Sequence, residues 1–458
     1  MLAIPSMIAQ LVNVLYNIVD RIYVGNLESI GQIALVGVGV VAPISTLITS
    51  FGFLVGLGGA PLFSIALGEK NNEKAKKILS NALLMLIILS TLVMVIFYAF
   101  MDNILLAFGA TPDSFEYAKE YFLIYLAGCF FSIITLGLNQ YLTAQGQSKK
   151  AMLTTLIGCT LNVGLDPLFM YAFKMGVKGA AVSTLICQIF SFVFVLLTLI
   201  FNKGIKLSFG KYDIKTMLNI TKVGLSPFLI NATDSIVFIV LNIVLKQFSS
   251  NTNDANMYLE IATIVIAFES LITGPLLGIS TGTQPILGYN YGAKNKKLLI
   301  RAQKQIFILA ASFCIFAFGL SFLISKPFAS MFINLTKSAD GNTDLIIDKA
   351  AHFIFIYMIG IIPLAFQYCA VDGLTAIGKA KYSIWLSLNR KIVLLLPLTF
   401  LIPLIFKDVE TSFFAEPIAD VIGSIITITV YLIIFPKIMN SLKDENHNDS
   451  NLLLNKTS

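Results

Sequence analysis

The chain has 458 residues, of which 57% are hydrophobic and only 12% charged, and its mean hydropathy is +0.83. A water-soluble domain carries about 25% charged residues, so this composition excludes a soluble globular protein and describes a chain that crosses a bilayer many times. The net charge of +7 could suit a nucleic-acid partner, but the placement of the basic residues assigns it to membrane orientation, and no nucleic-acid binding is expected.

Apolar runs of about 20 residues mark helical spans, and the weak alternation of an outer-membrane barrel is missing. The expected fold class is all-α and polytopic. Twelve transmembrane helices fall at about 2–24, 33–66, 78–100, 117–138, 152–173, 179–201, 221–246, 259–287, 299–325, 350–372, 383–406 and 413–436. The second and eighth runs are too long for a perpendicular helix and must tilt, bend or project. No cleavable signal peptide is expected, because the first apolar segment continues past Asp20 to Val24. A first span usually follows a short basic segment, so we expect a few residues upstream of Met1. The cysteines Cys129, Cys159, Cys187, Cys314 and Cys369 stand singly in apolar segments, as packing residues rather than ligands.

Basic residues set the orientation. With the N-terminus inside, 23 of the 32 lysines and arginines fall in cytoplasmic segments, including Arg390 and Lys391 at the inner end of the eleventh span. Eight fall outside, and Arg21 lies within the first span. Both termini are therefore expected in the cytoplasm, and a bacterial cytoplasmic membrane is the expected location.

The chain also repeats itself. LGEKNNEKAKK from Leu67 and LGYNYGAKNKK from Leu287 share a pattern 220 residues apart, and LTAQGQSK from Leu142 and LTAIGKAK from Leu374 share another 232 apart. The expected organisation is an N-terminal lobe of six helices (1–201), a basic linker (202–219), a C-terminal lobe of six (220–440) and a disordered polar tail (441–458). Two similar bundles facing across a cleft are a common transporter plan, in which one bundle rocks against the other. The second span is interrupted by Gly52, Gly56, Gly58, Gly59 and Pro61, and the eighth by Pro275, Gly278, Gly282 and Pro285. Corresponding interruptions in the two halves point toward the central cleft.

Polar residues at membrane depth are costly and therefore informative. In the fifth span, Asn162 and Asp166 are four apart and share a helical face, and Pro167 frees the carbonyl of Val163 beside them. The first span carries Asn13, Tyr16, Asn17 and Asp20 as one stripe, and the sixth carries Thr184, Gln188 and Ser191 on one face. Asp20, Asn162, Asp166 and Thr184 together would make a site of hard oxygen ligands, suited to a small hard cation such as Na⁺. Two carboxylates in one dry pocket could equally hold a proton. Asp234, with Asn231 on its face, and Glu269 have no basic partner at helical spacing, and both are expected at a cavity. Asp372 is read as a helix-end residue, and Arg390 and Lys391 as side chains reaching the inner interface.

These fragments, in their order, resemble the bacterial branch of the multidrug and toxic compound extrusion (MATE) family over nearly the whole chain. The resemblance rests on IPSMIAQLVNVLYNIVDRIYVG, NVGLDPLF, GISTGTQPILGYNYGA, LTAIGKAKYS and EPIAD. It implies a V-shaped pair of six-helix lobes and export of cationic, often planar drugs in exchange for Na⁺ or H⁺. Carried over by position, its N-lobe cation site would be Asp20, Asn162, Asp166 and Thr184, with Pro5 as the proline at which the first helix bends; Pro167, from its missing N–H, is expected as a second hinge. Family members with a C-lobe site carry acids on helices seven and ten, where this chain offers Asp234 and Asp372, the latter close to the cytoplasm.

The expected function is a monomeric antiporter without an organic cofactor, in which cation entry drives release of lipophilic organic cations. A flippase for a lipid-linked precursor is the alternative, although mid-membrane charges here are mainly acidic and such a flippase needs a cationic cavity. A membrane enzyme or scaffold finds little support, since the two histidines are His352 and His447 and no nucleophile or nucleotide motif occurs.

Overall fold

A computed structural model describes residues 2–27, 31–250, 252–336 and 343–442. Its long helices in chain order are α1 (Ala3–Gly25), α2 (Gly31–Gly68), α3 (Asn72–Ala99), α4 (Pro112–Ala144), α5 (Ser148–Pro167), α6 (Val177–Ile200), α7 (Ile214–Phe248), α8 (Thr252–Gly292) and α9 (Lys296–Thr336). Then come α10, bent by 45° between Thr343–Ile359 and Ile361–Ala376, α11, which runs from Ala380 to Phe406 through a π-helical stretch Asn389–Leu395, and α12 (Ala415–Ser441). Among the described residues ten helices are long and apolar enough to cross a membrane, and the bent α10 makes an eleventh. The twelfth, α1, has 23 residues, and its polar stripe lowers its apolarity. This is an all-α fold of two six-helix lobes.

Local chemistry sets the helix ends. Asn71 caps α3 by accepting from the Lys74 backbone, and Thr111 and Ser114 form a reciprocal capping box on α4. The Asp213 carboxylate caps α7 through the Thr216 backbone N–H, so α7 starts at Ile214, inside the expected linker of 202–219. The helices α2 and α8 are unbroken despite their internal prolines. With 41 residues at about 1.5 Å each, α8 is about twice as long as the ~30 Å hydrocarbon layer is thick, so it projects or tilts as expected.

The repeat survives with one change of register. Lys70 (φ 56°) and Lys294 (φ 52°) are both left-handed, and Asn71 and Asn295 both cap the next helix. Equivalent residues around the first loop pair are therefore 224 apart (Gly68 with Gly292), one helical turn from the 220 suggested by the lysine pattern. In the second pair Gly146 (φ 77°) and Gly378 (φ 74°) keep the spacing of 232.

The lobes meet along α2 with α7 and α8, and along α1 with α8. Backbones approach closely at one end of this seam. A Cβ at Gly58 would lie 2.7 Å from Cα of Gly224, and one at Gly68 would lie 2.8 Å from the Ala293 nitrogen. The Ser235 hydroxyl on α7 donates to the Pro43 carbonyl of α2 at 2.9 Å, which holds the seam further along. Pro5 stands in the first turn of α1, where its missing N–H breaks no hydrogen bond. Thus α1 runs unbroken past it, and the expected bend at Pro5 is not seen in this conformation. The tail lies outside the described residues from 443 onward, as do Lys337 and His447.

Candidate functional site

The lobes enclose a cavity of about 690 Å³. On the N-lobe side it is lined by Asn13, Tyr16, Asn17, Asp20 and Arg21 of α1, by Asn162 of α5, and by Thr184, Gln188 and Ser191 of α6. Asp234 and Asn231 of α7 line the other side. The close-packed seam at Gly58, Gly68, Gly224 and Gly292 closes the end at which α2 and α8 terminate.

At the N-lobe wall, α1, α5 and α6 bring Asp20, Asn162, Asp166 and Thr184 together, all buried. Helical spacing stacks Asn162 over Asp166, and the Asn162 Nδ2 donates to Asp166 Oδ1 at 3.1 Å, to Ser183 Oγ at 3.2 Å and to Thr184 Oγ1 at 3.4 Å. Asp20 on α1 and Asp166 on α5 are close enough for their carboxyls to interact electrostatically. Tyr16 of α1 and Tyr121 of α4 line the same wall as Thr184. Ser183 and Tyr121 were not among the sequence candidates. Ser183 adjoins Thr184 in sequence, and Tyr121 forms an i, i+4 pair with Tyr125 that could have marked a lining face.

Four oxygens here are buried without a partner: Asp20 Oδ1, Asn162 Oδ1, Asp166 Oδ2 and Gln188 Oε1. Buried polar atoms are almost always hydrogen-bonded, so such a concentration of acceptors calls for a cation or a proton. The donors are hard oxygens only, and no cluster of three His, Cys, Asp or Glu side chains that could hold a metal ion occurs among the described residues. This composition suits a monovalent hard cation or a proton better than a transition metal. Beyond Asn162, α5 opens into a π-helical turn at Leu168–Ala172, directly after Pro167. Pro167 thus marks a local change of winding.

The C-lobe differs from expectation. Lys391 and Arg390 are buried and do not reach an interface. Lys391 Nζ pairs with Asp234 Oδ1 at 2.5 Å and lies 3.7 Å from Glu416 Oε1. The Arg390 guanidinium donates to Asp420 and lies 3.6 Å from Glu416 Oε1. The reason is winding: the π-helical stretch Asn389–Leu395 turns both side chains inward toward Glu416 and Asp420, four apart on one face of α12. Asp234 does line the cavity, but with a basic partner. Glu269 does not line it, and lies within electrostatic range of Glu416, Asp420, Lys391 and Arg390. Asp372 is no helix cap, because α10 continues to Ala376; its carboxylate accepts from the Ser280 hydroxyl. The Glu416–Asp420 spacing was the one sequence signal for this cluster.

A family model described as MatE matches residues 5–168 and 255–401. Among curated proteins, the chain is similar to the multidrug export protein MepA of Staphylococcus aureus (strain NCTC 8325 / PS 47), with 25% identity over 299 residues, covering 65% of this chain and 64% of that protein. It is similar also to MepA of Staphylococcus haemolyticus (strain JCSC1435), with 26% identity over 317 residues and 68% of each chain. The chain thus spans a little under two thirds of the Staphylococcus aureus relative's length. Among solved structures, a MOP superfamily transporter from Pyrococcus furiosus superposes with TM-score 0.86 at 22% identity over 96% of this chain and 95% of that one. An outward-facing multidrug resistance MATE family transporter superposes with TM-score 0.84 at 23% identity over 96% and 95%. At these identities the structures speak for the fold alone. The family model covers more than half of the chain, and with the twelve-helix fold in agreement the chain belongs to the MatE family.

Proposed function

We infer that this protein is a secondary antiporter of the bacterial plasma membrane that exports lipophilic organic cations in exchange for Na⁺ or H⁺. The observation that carries the reading is the set of unpartnered oxygens of Asp20 and Asn162, which line a cavity of about 690 Å³ between the lobes, and of Asp166, fully buried one helical turn from Asn162. Basic residues concentrate at the end where α2 and α8 terminate, so the positive-inside bias puts that closed end and both termini in the cytoplasm. The cavity then faces outward. A cation entering from outside binds at the Asp20–Asp166 pair, offsets one of its two negative charges and favours release of cargo; the opposite rocking follows once the cation leaves inward. A one-for-one exchange of monovalent cations moves no net charge, so the drive is the inward concentration gradient of the coupling ion, about 1.4 kcal/mol for each tenfold.

Tyrosines and apolar walls would hold a planar cation, and the MepA relatives, as multidrug export proteins, agree with such a cargo. A flippase for phosphate-bearing lipid would need free cations at the cavity, but Lys391 and Arg390 are both engaged by carboxylates, and Arg21 on the N-lobe side lies within electrostatic range of the Asp20 carboxyl. The purified chain, working as a monomer, should therefore drive ethidium out of proteoliposomes under an imposed gradient. Na⁺ and H⁺ gradients applied separately identify the coupling ion. Equal ethidium movement with neither gradient would overturn the antiport reading.

A further inference from the structure

Lys391 has an arrangement that anchoring a helix does not require. Its ammonium lies between two carboxylates, 2.5 Å from Asp234 Oδ1 and 3.7 Å from Glu416 Oε1. The three side chains are unequally hidden: Asp234 is 39% exposed, Glu416 13% and Lys391 9%. Asp234 therefore forms the cavity-facing edge of the pair, with Lys391 and Glu416 both behind it. Glu416 also stands 3.6 Å from Arg390, whose guanidinium is taken up by Asp420. Asp234, Glu416 and Asp420 outnumber the two cations by one carboxylate, so the cluster can accept one further positive charge.

A buried carboxylate or ammonium stripped of its partner is strongly unfavourable. A cation entering from the cavity can take Asp234 without that penalty, because Lys391 already has a second partner within a short swing of its flexible stem. When the cavity empties, Lys391 returns and Asp234 is again compensated. An empty carrier can then change conformation without an uncovered carboxylate at its wall.

We propose that Lys391 is a tethered stand-in for the cargo: it occupies Asp234 in the empty protein, and the ammonium or quaternary nitrogen of a lipophilic organic cation displaces it onto Glu416. This makes Lys391 a specificity-determining residue, since a cargo must out-compete it for Asp234. The proposal rests on the reading of the chain as an exporter of organic cations, and the test separates the two.

Ethidium binding is measured by fluorescence polarisation on the full-length protein in nanodiscs. Lys391→Met should lower the ethidium Kd at least fivefold, and Lys391→Arg, which keeps the competitor, should stay within twofold of wild type. Asp234→Asn should raise Kd at least fivefold. The neutral pair Asp234→Asn with Lys391→Met should match Asp234→Asn alone, because nothing remains to compete for. An unchanged or higher Kd in Lys391→Met overturns the proposal and leaves the export reading standing. A second readout uses no drug: n-propylammonium, the piece missing from Lys391→Ala, should raise the Tm of that variant and not that of Asp234→Asn with Lys391→Ala. Rescue without ethidium binding supports a displaceable pair and counts against export of such cations. Absence of rescue overturns the proposal whatever ethidium does.

Discussion

The Asn162 amide donates to one oxygen of Asp166 at 3.1 Å, while the other oxygen of that carboxylate and the Asn162 carbonyl oxygen are buried with no partner. A side chain that merely braced the helix would leave no such acceptors. Half of the pair holds the geometry and half stays free for a ligand.

Asp166→Asn tests that division. An asparagine there can still accept from Asn162, so the helix contact survives and the protein should reach the membrane at wild-type levels. The charge that would bind Na⁺ or carry a proton is gone. Expressed in a pump-deficient bacterium, the variant should give no protection against ethidium above vector background, with immunoblot signal unchanged. Resistance equal to the parent would remove Asp166 from coupling.

Asn162→Ala should act differently. It removes the donor shared by Asp166, Ser183 and Thr184, and unmade buried hydrogen bonds cost about 1–3 kcal/mol. A Tm lowered by several degrees in detergent is expected together with loss of efflux. An unchanged Tm would mean that the three acceptors find other partners.

Most of the N-lobe site could be read from the sequence because its key spacing is local. Asn162 and Asp166 lie one helical turn apart, and only a polar stripe on α1 and a threonine on α6 had to be added. The C-lobe cluster was hidden for a physical reason. Lys391 finds Asp234 across 157 residues of chain, and no helical periodicity encodes which helices pack together. A basic pair near the end of an apolar run reads as interfacial by hydropathy alone, and the π-helical turn that redirects it has no composition signal. The register of the first repeat slipped for a related reason: lysines recur in the loop, but the left-handed residue that ends the helix fixes the true equivalence.

Gly224 tests the seam between lobes. A Cβ there would stand 2.7 Å from the carbonyl carbon of Leu54, a backbone atom that no rotamer change can move. Overpacking of this kind costs about 1–3 kcal/mol, and the lobes escape it by parting at this end. Gly224→Ala should therefore speed maleimide labelling of a cysteine introduced at Ser64, a fully buried position on α2, and reduce efflux. Unaltered labelling would show that the seam yields locally.

Outside the membrane, Asp213 should make stability depend on pH. Its carboxylate accepts from the Thr216 hydroxyl at 2.6 Å and backbone N–H at 3.1 Å, and Lys77 lies 2.9 Å away. These contacts, the Thr216 hydroxyl first, hold its carboxyl well below the usual carboxylate range. A depressed folded-state value means that the stabilisation is complete above the ordinary aspartate pKa of about 3.9 and is lost as pH falls from there toward the folded value. Asp213→Asn should lower Tm at pH 7, and its difference from wild type should shrink as pH drops below about 4. A difference constant across that window would assign the effect to helix capping without charge.

Arg390 should matter more to folding than to transport. Its guanidinium is buried against Asp420 and Glu416, and Gly423 packs against its stem, where a Cβ would stand 2.9 Å from Arg390 Cγ. Removing one partner of a buried pair leaves a charge that nothing compensates, which costs about 3–5 kcal/mol, whereas replacing both with apolar residues is often neutral. Arg390→Met should therefore sharply reduce the yield of monodisperse protein in size-exclusion chromatography. Arg390→Met combined with Asp420→Leu should recover much of it. Lys391→Met should be milder than Arg390→Met, because the Asp234 it abandons is partly exposed at the cavity. If both single variants lose yield equally, the two pairs are buried to the same effect, and the graded cluster from cavity edge to lobe interior is wrong.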